Sequence, residues 1–542
     1  NEHFEQNPKL IEIIFIKLFN IKKMRQILKL FVLIVIIVGA TELIYCQQGD
    51  LDTSFNYSGT IIKDISNEID NGFAVLVQPD NKVLMVGSAG SGVGMARFKE
   101  NGTIDETFGT NGIVQTIIGN NNIHGTSAVL QSNGKVIVGG GYHNQSSSSF
   151  IILRYNANGS LDSSFGTNGY IIPDFGNGCN DIALQEDGKI IAVGYDYVEF
   201  DNSFALARFT SEGALDSTFG NGGFVRTPIL TNFNELNAVT INSNEKIITA
   251  GYSAYAHNLD SLNFAILQYN MDGTLDSTFN STGIVIKDIN NASRDEAESV
   301  KVQSDGKIIV VGHSTSNSDS DFAVLRFNPD GSLDTSFNNS GIVLTNISGN
   351  SGNAYSVLIQ PNGKIIVVGD AYTTTNYDYA IVRYNNDGLI DSTFGLNGKV
   401  LTDFEFTKDV AKSACLTPDG KIVAGGYIHL GDLLYDFSCA RYLNDLNIGM
   451  IDFEENNTFL NIYPNPIRSY ATIEYELEKD EKISVTLYNM NGTIIKSFVS
   501  KQKREAGNHK EIINFNGIAP LGTYFVSLNN GKSSVEIKII LQ

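Results

Sequence analysis

From residue 49 to about residue 447 the chain alternates short apolar runs with polar turns, and the order of the runs repeats. A β-branched run such as Ile284-Val285-Ile286 or Ile342-Val343-Leu344 is followed by a second run such as Val75-Leu76-Val77. A turn comes next: Asp80-Asn81, Asn133-Gly134, Asp187-Gly188, Asn244-Glu245, Asp305-Gly306, Asn362-Gly363 or Asp419-Gly420. A Lys closes each turn, from Lys82 to Lys421. The third run leads to a Gly (Gly87, Gly140, Gly194, Gly251, Gly312, Gly369, Gly426), and the fourth ends in Arg-aromatic, from Arg97-Phe98 to Arg441-Tyr442. Only Gln268-Tyr269 departs from that ending. Asn-Gly and Asp-Gly between apolar runs signal a hairpin, because both residues tolerate the positive φ of a type I′ turn. Each unit therefore reads as four antiparallel strands, with the run after the repeated Gly as strand one.

The longest link in each unit carries a signature. It appears first as Gly49-Asp50-Leu51-Asp52-Thr53-Ser54-Phe55 and returns around Asp105, Asp162, Asp216, Asp276, Asp334 and Asp391. Phe follows three residues later and Gly four after that, from Gly59 to Gly398. Copies about 53 to 60 residues apart mark a repeat architecture. Seven four-stranded meanders predict a seven-bladed β-propeller; a solenoid is the alternative, but a ring exposes fewer sheet edges. The link Asn328–Gly341 is expected to cross from the outer strand of one blade to the inner strand of the next. Its Asp is expected to accept backbone N–H bonds, its Phe to wedge between blades and the closing Arg to pair with an Asp of the link.

Gly-x-Leu-Asp-x-Ser-Phe, the Gln-Pro-Asp-Gly-Lys-like turn and the closing Arg-Tyr-Asn together resemble the delta-60 repeat proteins of bacteria. That resemblance covers about residues 49–447. It implies a propeller and assigns no chemistry.

Beyond Tyr442 the period stops, and residues 448–458 read as an acidic linker. Residues 459–542 alternate again, in strands at 471–475, 483–487, 522–526 and 535–541, with turns at Asn491-Gly492 and Asn530-Gly531. This predicts a small immunoglobulin-like β-sandwich, so the whole chain is all-β. Tyr463-Pro464-Asn465-Pro466, the hairpin 487–492 and the strand holding Gly522 and Tyr524 are similar to the type IX secretion sorting domain of Bacteroidetes. The resemblance implies the type IX machinery as a partner and a protein secreted or attached to the outer-membrane surface, with these six residues as sorting signal.

At the other end, Arg25 and Lys29 followed by the apolar run Leu30–Ala40 read as a signal peptide over 24–46. Residues 1–23 are expected to be upstream read-through, outside the mature protein. A net charge of -21 argues against nucleic acid, whose phosphates call for clustered Lys and Arg. Cys179, Cys415 and Cys439 fall on apolar strand positions and are expected to be buried free thiols.

No Gly-x-Ser-x-Gly, His-Glu-x-x-His or zinc-spaced Cys pair occurs. No catalytic or metal-ligating residue is therefore assigned, and no cofactor is expected. Calcium stays open because the Asn-Pro-Asp-Gly and Leu-Asp segments are rich in oxygen donors, although no copy has the acid spacing of a calcium loop. Ligand-binding candidates lie instead in the loops that vary among repeats, since function gathers in variable loops on a rigid scaffold. They are Tyr142, His143, Tyr197, Tyr255, His257, Tyr377 and His429, on the end that also receives His124 and His313. A monomeric binding or adhesion module for a surface glycan or protein is the first reading; a secreted hydrolase or lyase of polysaccharides or esters is the alternative.

Overall fold

The computed structural model describes residues 47–444 and 460–541. Within them it omits 199–200, 230–232, 255–260, 290–293, 317–318, 406–407, 432–433, 464–466, 468, 478, 489–493, 516, 519–521 and 530–533. The expected signal peptide, the linker, Tyr255, His257, Pro464, Asn465, Pro466 and both sandwich turns lie outside the described residues.

The first part is an array of seven four-stranded antiparallel blades. Their inner strands are Asp70–Val77, Asn122–Leu130, Gly178–Leu184, Phe233–Ile241, Arg294–Val302, Gly352–Ile359 and Lys408–Leu416. Each of the first six is followed in order by a second, a third and an outer strand, as in blade 5 with Ile308–Ser316, Asp319–Phe327 and Ile342–Thr345.

The grouping of strands differs from the expected one by one strand. The run after the repeated Gly is the outer strand of the preceding blade, not the inner strand of the next, as Ile342 pairs with Leu325 and Thr345 with Phe322. The link Asn328–Gly341 thus stays inside its blade, and the crossing to the next blade is the short segment 346–351. A meander's apolar runs give the strands but not their partners; a four-residue run fits equally well at either edge. The shift has a consequence for closure. Thr60–Lys63, first of the described strands, pairs with Leu434–Tyr442 and supplies the outer strand of blade 7.

The repeated residues form one construction, copied in each blade. In blade 5, Asp334 Oδ2 accepts from Arg326 Nε at 2.7 Å and lies 3.0 Å from Lys307 Nζ, while Oδ1 accepts from the Ser336 amide and hydroxyl. The Arg326 guanidinium lies over the Phe337 ring at 4.5 Å and donates to the Asn386 carbonyl of blade 6. This explains the Lys after every turn: from Lys82–Asp105 to Lys421–Asp52 it is a cation on the signature Asp, the second one wherever Arg closes the blade. Gln268 fills the Arg position of blade 4, donating to Asp276 at 2.9 Å. Blade 7 takes its Asp from the chain's start, with Arg441 Nε 2.8 Å from Asp52 Oδ2.

Phe337 is fully buried among Ile309 and Val311 of blade 5 and Val367 and Tyr384 of blade 6. Phe337→Ala is expected to cost about 3–5 kcal/mol in a denaturant titration.

The hairpin turns differ from the expected type I′. In the turn after Gln303, Gly306 N–H donates to Gln303 O, Gln303 N–H to Lys307 O, and only Gly306 has positive φ, at 84°. Such three-residue loops place one left-handed residue at the bulge. Asn81 (64°) and Glu245 (59°) take that conformation where Gly is absent.

The second part is a β-sandwich, with sheets Leu460–Tyr463, Tyr470–Leu477, Gly507–Asn514 and Ile494–Arg504, Glu481–Tyr488, Gly522–Asn529, Ser534–Leu541. Ile473, Tyr475, Leu487, Val526 and Ile539 lie in its core. All four expected strands are present; Leu460–Tyr463, Ile494–Arg504 and Gly507–Asn514 were not anticipated.

Candidate functional site

All seven inner strands carry a β-bulge at the same position. The pairing register shifts between Gly72/Ala74, Gly125/Ser127, Cys179/Asp181, Leu236/Ala238, Ala297/Ser299, Ala354/Ser356 and Ala411/Ser413. The extra residues are Phe73, Thr126, Asn180, Asn237, Glu298, Tyr355 and Lys412. The bulge explains the Gly at the centre of every second strand. A Cβ on Gly312 would lie 1.8 Å from the Glu296 carbonyl oxygen, and its six counterparts would meet the same carbonyl at 1.8–2.0 Å. Bulges re-aim side chains, commonly beside sites. Here they line the axis, since all seven border a cavity of about 1010 Å³ that runs to the tight-turn ends of the inner strands.

These seven residues have two kinds of surroundings. On blades 2 to 4 the bulge side chains are tied to the next blade: Thr126 Oγ1 donates to Cys179 O at 2.7 Å, Asn180 Nδ2 to Leu236 O at 2.9 Å and Asn237 Nδ2 to Ala297 O at 3.0 Å. Blades 5 to 7 and 1 bring a carboxylate, a phenol, an amine and a phenyl ring instead. Lys412 Nζ stands 3.3 Å from the Tyr355 ring centroid. Burial pushes the Glu298 carboxyl up to about 7, against the pull of Lys412 and His313. Burial also pushes Lys412 down, opposed by Glu298 and Asp370.

Titratable side chains surround the bulges on the variable-loop side. Tyr252 OH donates to Glu235 Oε2 at 2.6 Å, and burial holds Glu235 above its ordinary range. His313 Nε2 lies 3.7 Å from Glu296 Oε1. Burial would lower His313, but Glu296 and Glu298 outweigh it and raise it. Burial raises Asp370 as well.

The sequence-predicted candidates stand elsewhere: none of the five among the described residues (Tyr142, His143, Tyr197, Tyr377 and His429) lines the axial cavity. His143 stacks on His124 at 5.2 Å and shares a hydrogen bond with Ser148; Tyr142 OH accepts from Asn144. Tyr197, 49% exposed, sits on blade 3. Tyr377 packs edge-on against Tyr372 at 5.1 Å and under Lys408 of blade 7, which pairs with His429. The structure thus brings Tyr377 and His429 together at the blade 6–7 seam and leaves Tyr142 and His143 on blade 2. His429 stacks on Tyr435 at 4.5 Å, Tyr435 meets Tyr427 at 5.7 Å, and Tyr427 meets the bulge residue Phe73 at 6.4 Å. An aromatic path therefore joins rim to axis. Among sorting residues, Tyr463 is exposed, while Tyr524 is buried beside Gly522 in the second sheet.

The bulge residues were missed because a bulge is a backbone event. A signal existed: in each copy one freely varying residue sits between small neighbours, as in Ala297-Glu298-Ser299, Ala354-Tyr355-Ser356 and Ala411-Lys412-Ser413.

This architecture defines a ring-closed propeller followed by a β-sandwich. The chain carries the repeats described as "Domain of unknown function (DUF5122) beta-propeller", matched at 78–108, 131–165, 185–219, 243–279, 303–337 and 360–394. It ends in a secretion system C-terminal sorting domain, matched at 461–542. It is therefore a DUF5122 propeller protein exported through the type IX system to the cell surface or beyond. Six matches accompany seven blades because the seventh unit is split, its Asp and Phe coming from residues 52 and 55. No curated protein matches the sequence.

Similar solved structures include a protein of unknown function from Dyadobacter fermentans, with 12% identity, 59% of this chain and 94% of that chain covered and a TM-score of 0.38. PorZ, a surface component of the type IX secretion system of Porphyromonas gingivalis, has 11% identity, coverage of 85% and 68% and a TM-score of 0.29. An ulvan lyase has 9% identity, coverage of 71% and 96% and a TM-score of 0.40. Likeness at this level carries nothing on activity.

Proposed function

We propose that the protein is a binding module of the cell surface or its surroundings that holds a ligand on the propeller axis, at the bulge residues of blades 5, 6, 7 and 1. The observation that carries this reading is that seven structurally equivalent, axis-lining positions hold six different side-chain types. Positions that serve folding are repeated in this chain; these are not. A glycan fits the chemistry best: carboxyl, amine and phenol groups meet hydroxyls, and the path Phe73, Tyr427, Tyr435 and His429 offers flat apolar surface for sugar rings.

The alternative, a hydrolase or lyase, is favoured by one observation. Glu298 has its acidity set near neutrality beside a lowered amine and a phenol, the kind of groups that transfer protons.

Both readings are tested by incubating the full chain with a panel of immobilised polysaccharides and analysing what is retained and what is released. Retention without shortening is expected, falling at least tenfold in E298Q and K412M while the melting temperature stays nearly unchanged. Shortened chains in the supernatant, abolished by E298Q, would replace the binding reading with the enzymatic one. Retention unaffected by both variants would remove the ligand from the axis.

A further inference from the structure

Blades 6 and 7 meet around three carboxylates. Asp378 is the second residue of the third strand of blade 6, Tyr377–Tyr384, Asp403 follows its outer strand Lys399–Thr402, and Asp409 lies on the inner strand of blade 7. Each offers a carboxylate oxygen within 4.8 Å of the other two. The cluster is partly sealed: Asp409 is fully buried and Asp378 is 6% exposed, whereas Asp403 reaches solvent.

Acid clusters are common, and proximity alone would carry nothing. The second observation is the bonding of the buried members. Asp409 Oδ2 accepts the Phe404 amide at 2.8 Å, but Asp409 Oδ1 and Asp378 Oδ1 are buried with no hydrogen-bond partner. Among the described residues no Lys, Arg or His forms an ion pair with any of the three. Unpaired buried oxygens of like charge are costly unless protonated or bound to a cation.

The molecule contains its own control. Asp64, Asp70 and Asp436 occupy the equivalent places at the seam of blades 7 and 1. There the buried Asp70 has both oxygens capped, Oδ2 by the Ile65 and Ser66 amides and Oδ1 by the Ser66 hydroxyl. At the other seam Glu405, two residues after Asp403 as Ser66 is after Asp64, brings no such hydroxyl.

From this difference we infer that Asp378, Asp403 and Asp409 bind one hard divalent cation, calcium, that ties blade 6 to blade 7. Oxygen-only ligands, with an open side at Asp403 for water, suit calcium at its 2.3–2.6 Å contacts, and oxygens on one such ion can stand as far apart as these. An exported protein meets calcium at the millimolar levels to which extracellular modules are tuned. The ion would act on the seam where Tyr377 of blade 6 bridges Lys408 of blade 7, independently of any ligand on the axis.

The test is calorimetric titration of the chelator-stripped full chain with calcium chloride, paired with thermal melts. One calcium per chain is expected, with a melting-temperature rise of roughly 2–5 °C at about 5 mM calcium. D403N, at the exposed ligand where folding is least disturbed, should weaken binding at least tenfold and lose the rise; D64N should retain both. Absence of heat and of any rise in the wild-type chain would overturn the inference, as would D403N binding like wild type.

Discussion

A chain lacking residues 47–63 should no longer melt cooperatively and should aggregate on a sizing column. These residues supply three things to the far end of the ring. Thr60–Lys63 is the outer strand of blade 7, in register from Thr60↔Ala440 to Lys63↔Phe437. Asp52 is the anion for Arg441 and Lys421, and without it a buried guanidinium loses its partner, at about 3–5 kcal/mol. Phe55, fully buried, fills the core between blades 7 and 1 under the Arg441 guanidinium at 4.4 Å, a further loss of about 3–5 kcal/mol. Those losses approach the whole stability of an ordinary domain, and the exposed edge of Leu434–Tyr442 would recruit other chains. Adding a peptide of residues 47–63 should restore a cooperative melt and reduce the aggregation. A monomeric truncation with the parental melting curve would show that closure does not rest on this strand.

The split seventh unit also shows what the sequence could and could not convey. Asp334, Lys307, Arg326 and Phe337 were legible as structural because each does the same short-range work in its blade, and identical work leaves identical residues at fixed spacing. The phase of the blades was not legible, because strand pairing is non-local and the run Ile342–Thr345 has apolar character without any mark of its partner. The turn type was misread for a similar reason: Asp-Gly permits two left-handed residues, and the backbone uses one. Tyr377 and His429 meet at the blade 6–7 seam through Lys408, a pairing between strands of two blades that no local spacing marks. The axial residues escaped because register shifts, not periodicity, turn them inward. Asp378, Asp403 and Asp409 come from three strands or links of two blades, so no local spacing announces them.

Acid should unfold the propeller steeply between about pH 4 and 2, and Asp334→Ala should show why. Burial alone would raise the Asp334 carboxyl, but the Ser336 hydroxyl, the Lys307 ammonium and the Arg326 guanidinium outweigh it and hold it well below the usual range. Its counterparts Asp52, Asp105, Asp216 and Asp391 are lowered to about 2, and Asp162 and Asp276 further still. A lowered carboxyl contributes stability that is complete above its unfolded pKa near 4 and is lost as pH falls through the folded value. Across that window the unfolded chain takes up protons that the native chain refuses, at up to about 1.4 kcal/mol per group per pH unit. At pH 7, Asp334→Ala strands Arg326, which is only 4% exposed, and should cost about 3–5 kcal/mol in a denaturant titration. Lys307 has a second anion in Asp305 at 3.9 Å and suffers less. Arg326→Gln should cost only about 1 kcal/mol, because Gln268 already holds Asp276 in this way in blade 4. The variants should also differ in acid: Asp334→Ala should flatten the stability-against-pH slope by about one proton, while Arg326→Gln keeps most of it. A slope unchanged by Asp334→Ala, or Arg326→Gln as damaging as Asp334→Ala, would mean that the pair does not carry the load the geometry assigns to it.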